Sequence, residues 1–163
     1  MLIKLKSFIF GQNKSIMKNL IVVLFALISL NSIAQSCVGK WVTIDDATNK
    51  KKSIVELYKV DGKLYGKITY LFPREGREDN PKCTKCTGDR KDKPLVGLQI
   101  VRGLTWDGGE WEGGTIVDPE NGKIYTVRMW LEPNNANYLN VRGYIGPFFR
   151  TQKRVSNASE RAQ

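Results

Sequence analysis

The residues with the most chemical reach in this chain are three cysteines and a row of arginines, and the commonest catalytic side chain is missing. There is no histidine among the 163 residues, which closes off Ser-His-Asp and Cys-His nucleophiles, His-based zinc sites and the usual general base. Cys83-Thr84-Lys85-Cys86 has the spacing of a redox pair. A thioredoxin-type thiol, however, needs a helix N-terminus beside a βαβ unit to lower its pKa, and the stretch 72–94 reads as a long polar loop. A structural zinc site needs four ligands, and Cys37 brings the sulfurs only to three. The expectation is therefore a Cys83–Cys86 disulfide that pins the loop, with Cys37 unpaired or paired between chains. The carboxylates do not converge: most fall in loop-like stretches, and Glu56, Glu110 and Glu112 are the ones on strand-like segments. A glycosidase needs two carboxyls about 5–9 Å apart across a cleft, and Asp118 is better explained as a residue capping its own turn. No catalytic residue, metal ligand or cofactor is assigned.

The arginines stand on two segments that share one alternation. In 124–131, Tyr125, Val127, Met129 and Leu131 fall on one face and Ile124, Thr126, Arg128 and Trp130 on the other. In 138–145, Leu139, Val141, Gly143 and Ile145 oppose Tyr138, Asn140, Arg142 and Tyr144. Antiparallel pairing that keeps the aliphatic rows together requires partners whose numbers sum to an even value, such as Arg128 with Arg142 or Asn140. Two arginines side by side repel unless an anion lies between them or both reach water. The functional reading gives Arg128 and Arg142 the acid group of a small ligand, with Tyr144, Trp130 and Tyr125 as further binding residues. The plainer reading makes the row a solvated outer face, and its inverse turns the aliphatic face inward as a dry core or an apolar cavity.

These residues must be positioned by strands, because no segment sustains a helical period. Strand candidates are 39–44, 53–60, 64–71, 95–104, 110–117, 124–131, 138–145 and 150–155. Asp61-Gly62, Asp107-Gly108 and Asn121-Gly122 supply hairpin turn chemistry between them. The expected fold is all-β, an eight-stranded antiparallel up-and-down barrel, whose closure removes exposed edges. Glycines inside strands at Gly113-Gly114 and Gly143 indicate bends or close approach. The domain plan is an upstream extension and signal peptide over 1–34, one barrel domain over 35–155, and a disordered tail over 156–163.

The leader reads from its own pattern. Met17-Lys18-Asn19 is basic, 20–30 is apolar, and Ser32-Ile33-Ala34 offers small residues for a peptidase. The apolar run is shorter than the about 20 residues a bilayer crossing takes. Cleavage after Ala34 is expected, with lipidation of Cys37 as a lesser route, and either sends the protein to the periplasm or outside the cell. The formal charge of +10 includes four leader lysines, leaving +6 for 35–163. For an exported chain that balance points to lipid headgroups and small carboxylates rather than nucleic acid. The expected partner is a small hydrophobic or amphipathic molecule, with peripheral envelope contact. A rival reading is an envelope interaction module with a filled core that captures partners through Arg90, Lys91 and Lys93 in the long loop.

Gly39-Lys40-Trp41 at the first strand is similar to the opening signature of lipocalins. That resemblance implies that Trp41 closes one end of the barrel, with Arg150 or Arg154 from the last strand lying across its ring. A fuller set of motifs comprises 63–68 (KLYGKI), Cys83-x-x-Cys86-x-Gly88-x-Arg90-Lys91, Pro94-Leu95-x-Gly97, Gly113-Gly114-x-Ile116-x-Asp118-Pro119, Val141-Arg142-Gly143-Tyr144-x-Gly146 and Arg150-Thr151-Gln152. Together they resemble the exported bacterial family called domain of unknown function 2147. The resemblance implies a lipocalin-like barrel and a periplasmic or secreted location, and it carries no established activity or functional residues.

Overall fold

The computed structural model describes residues 37–45 and 47–157, the stretch 149–157 by backbone alone. The leader and the end of the tail lie outside the described residues. The strands are β1 (Gly39–Ile44), β2 (Lys51–Val60), β3 (Lys63–Leu71), β4 (Gln99–Trp106), β5 (Trp111–Val117), β6 (Ile124–Glu132), β7 (Asn135–Ile145) and β8 (Phe148–Asn157). All pairs are antiparallel and follow chain order, and β1 meets β8 to close a barrel. Closure rests on Trp41 opposite Asn157 and Val42 opposite Ser156. The strand thus includes residues 156 and 157, so the tail expected from 156 begins no earlier than 158.

Alternation decides the core. On β2, Ser53, Val55 and Leu57 are buried; on β3, Leu64 and Ile68; on β6, Val127 and Met129; on β7, Leu139 and Val141. Each set is spaced by two or four, which puts it on one face of its strand. Register between β6 and β7 follows the even-sum rule, with Arg128 opposite Arg142, Met129 opposite Val141 and Leu131 opposite Leu139.

Turn chemistry succeeds unevenly. At Asp61-Gly62 both residues have positive φ, 49° and 76°, as a two-residue primed hairpin demands. At 118–123 the loop is longer: Asp118 Oδ1 accepts the Glu120 N–H at 3.0 Å and Oδ2 accepts Asn121 Nδ2 at 2.8 Å, the self-capping role expected of Asp118. The polar loop expected over 132–137 contracts, since β7 already begins at Asn135 opposite Glu132. The strand expected from 95 begins only at Gln99. Gly97 has φ 91° and the Leu98 N–H bonds back to the Leu95 carbonyl at 3.1 Å, so Leu95 and Leu98 pack under the long loop instead of extending β4.

That loop is fastened at several points. Cys83 and Cys86 form a disulfide, as expected. The Cys83 N–H bonds to the Lys93 carbonyl at 2.8 Å and the Asp92 N–H to the Cys83 carbonyl at 3.1 Å, so the two arms of the loop hold each other across a short 3₁₀ turn, Gly88–Arg90.

Candidate functional site

The buried faces do not fill the barrel. They enclose a cavity of about 420 Å³, within the roughly 300–1,000 Å³ typical of small-molecule sites. Its deep wall is aliphatic: Val55, Leu57, Ile68, Val101, Met129, Leu139 and Val141, with Trp41 and Tyr125 as its aromatic members among the described residues. Thr43 and Ser53 put a pair of hydroxyls on the wall, their oxygens 2.7 Å apart, so the buried Ser53 is satisfied by its neighbour.

The cavity reaches the barrel end formed by the loops after β1, β3 and β5, where Asp45, Lys52, Arg77, Asp118 and Glu120 join its lining. Here charge is concentrated. Glu120 takes Lys52 Nζ on Oε2 at 2.8 Å, and Arg74 and Arg77 on Oε1 at 3.6 and 3.9 Å. Arg74 also donates to Asp45 Oδ2 at 3.2 Å. The other Asp45 oxygen receives the N–H groups of Ala47 and Thr48 and the Thr48 hydroxyl. Those bonds, the Thr48 N–H foremost, hold the Asp45 carboxyl below its ordinary pKa.

At the opposite end Trp41 is buried, and its Nε1 donates to the Cys37 carbonyl at 2.8 Å. The side chains of Arg150 and Arg154, expected across its ring, lie outside the described residues. A lysine is found over another ring nearby, Lys59 Nζ standing 4.8 Å from the Trp111 centroid. Cys37 is free and buried, and burial pushes its thiol from 9.0 up to about 11.

The expected ligand arginines are not in the cavity. Met129 and Val141 of the paired strands point inward, so Arg128, Trp130, Arg142 and Tyr144 project outward. Arg128 donates to Glu110 at 2.9 Å and pairs with Glu112 at 3.1 Å, and its guanidinium lies 5.9 Å from the Tyr144 ring. Arg142 stacks on Trp130 at 5.2 Å. The two like charges are reconciled by outer-face acids for one and an aromatic face for the other. Of the five residues assigned to binding, Tyr125 alone lines the cavity. Arginine with aromatics and aliphatics with one glycine are both chemically acceptable inner faces, which is why alternation alone left the inward face open.

Asp107, Glu110 and Glu112 place carboxylate oxygens within 4.8 Å of one another, but Arg128 already sits against two of them. Arg90, proposed as a loop contact for partners, is buried and donates from Nε to the Gln99 carbonyl at 2.8 Å. Burial, and then the neighbouring Arg102, pull its guanidinium below the ordinary value. It anchors the loop to β4 and is not offered at the surface. Beside it, Asp89 holds Arg102 through both carboxylate oxygens.

The sequence reading missed Lys52, Arg74, Arg77 and Glu120. A weak signal existed in the basic residues that flank the β2 and β3 ends, but the convergence joins the start of β2 to two loops distant in sequence.

A closed antiparallel barrel whose strands follow one another in chain order around an apolar interior is a lipocalin-like fold. Residues 39–154 match the family described as an uncharacterized protein conserved in bacteria, DUF2147, and the chain belongs to it. Among solved structures the chain is similar to one described as "Protein HP1028 from the human pathogen Helicobacter pylori belongs to the lipocalin family". The two share 19% identity over 78% of this chain and 86% of that one, with a TM-score of 0.64, a likeness of fold. No curated protein matches.

Proposed function

We propose that this protein is an exported carrier, built on an eight-stranded barrel, that holds a small hydrophobic or amphipathic molecule in its interior. The observation that carries the reading is the apolar cavity of about 420 Å³ opening at a charged rim. A protein needing only a filled core would gain by collapsing or filling that space, since each unfilled volume forfeits dispersion contacts. The solved lipocalin-family neighbour supports the barrel as a carrier scaffold. The Cys83–Cys86 bond and the leader pattern support export to the periplasm or beyond. Binding is favoured over catalysis by the absence of histidine from the sequence and by the use of Asp45 and Asp118 in their own turns.

Native mass spectrometry of residues 35–163, purified from an oxidising compartment without detergent, tests the reading. The expected spectrum shows a discrete adduct that is lost on denaturation. A bare mass that stays bare after incubation with an extract of envelope lipids would overturn it.

A further inference from the structure

At the mouth of the barrel three cations converge on one carboxylate. Lys52 comes from the start of β2, Arg74 and Arg77 from the loop after β3, and all three meet Glu120 at the tip of the β5–β6 loop. The other two rim acids are committed elsewhere. Asp118 spends both oxygens on the Glu120 N–H and Asn121. Asp45 spends one oxygen on Ala47 and Thr48 and the other on Arg74.

Glu120 is different. Its side chain is 43% exposed, and among the described residues the carboxylate is held by these ion pairs, two of them at 3.6 and 3.9 Å. Those separations exceed the range of a good N–H···O bond. Among the described residues Glu120 is the one anionic neighbour of the Arg77 guanidinium. Three cations are thus gathered on one carboxylate that pairs closely with Lys52 and only loosely with the two arginines. Lys52 and Arg77 also line the cavity whose wall below them is aliphatic.

We infer that the mouth is a headgroup site, and that the ligand is a single-chain amphiphile with a compact anionic head, a carboxylate or a phosphate monoester. The tail occupies the aliphatic cavity, and the head replaces Glu120 on Lys52, Arg74 and Arg77. Arginine forks suit both heads, forming charge-assisted hydrogen bonds of about 2.7–2.9 Å. Glu120 is an internal competitor: it keeps the cations paired in the empty protein and swings into water when the head arrives. The inference rests on the carrier reading but concerns a different part of the site.

Isothermal titration with dodecanoate, dodecyl phosphate, dodecanol and dodecyltrimethylammonium separates the two. The expected result is that one or both anionic probes bind at least about tenfold more tightly than dodecanol, a difference of about 1.4 kcal/mol. The tighter anion identifies the head. The triple variant Lys52→Ala/Arg74→Ala/Arg77→Ala is expected to lose that advantage while keeping its affinity for dodecanol, which also verifies that the barrel is intact. Glu120→Gln, which removes the competitor but not the cations, is expected to bind the anions several-fold more tightly. If dodecanol binds as well as the anions, or if the triple variant retains the advantage, the headgroup site is overturned and the carrier reading survives. If none of the four probes binds, both fail together.

Discussion

Arg128 and Arg142 show what a side-chain row can and cannot say. Keeping the aliphatic rows in register puts a residue of the Arg142 and Asn140 row opposite Arg128, and the structure selects Arg142. Register does not set their direction, because an outer face that neutralises one arginine with Glu110 and Glu112 and stacks the other on Trp130 satisfies the same pattern. Cys37 is the counterexample at the other end of the barrel. It sits in the core with its thiol raised from 9.0 to about 11 by burial. Burial favours the protonated form, so this contribution to stability is whole below pH 9 and is lost as the pH climbs toward about 11. The same shift protects the thiol from reagents that need a thiolate. At pH 8 iodoacetamide should alkylate Cys37 in the folded protein at least about a hundredfold more slowly than in urea, from the thiolate fraction alone. Equal rates in the two states would contradict its placement.

The elements that make the site are the loops, and their mutual contacts were the least legible part of the sequence. Strands announced themselves by alternation and turn residues, and Cys83 with Cys86 announced a pinned loop. Nothing local announced that the pinned loop lies against the β5–β6 loop. Yet a Cβ on Gly122 would fall 1.9 Å from the Lys85 carbonyl oxygen, and Gly122 has φ 74°, so glycine is required there both for close approach and for its backbone angle. The Pro119 carbonyl lies 3.7 Å from Cys83 Sγ in the same contact. The disulfide loop therefore buttresses the segment that carries Glu120 to the mouth. Gly122→Ala should cost about 2 kcal/mol or more, combining left-handed strain with a backbone collision. Urea denaturation measures it, and a change within about 0.5 kcal/mol, the range of an ordinary surface substitution, would show that the two loops are not in contact.

For the whole molecule, the antiparallel all-β barrel was readable because period-two patterns and short connections leave few other solutions. The cavity was not readable, since alternation says which side chains share a face, and neither which face points inward nor whether the inward side chains meet. Here the inward row is mainly aliphatic, with a glycine at Gly143 among the lining residues. The rows leave space between Trp41 at one end and the charged mouth at the other. The outer arginine row and the inner cavity then have separate roles, and substitutions in each should separate cleanly.

The most direct test is a fluorescence titration of the purified barrel with N-phenylnaphthylamine, a neutral dye that brightens in apolar surroundings. The wild-type protein should bind it saturably, and Val141→Trp, which puts an indole into the cavity, should weaken binding at least about tenfold, or about 1.4 kcal/mol. Arg128→Ala combined with Arg142→Ala should leave it unchanged. Loss of binding in the arginine variant with retention in Val141→Trp would place the ligand on the outer face and contradict the account.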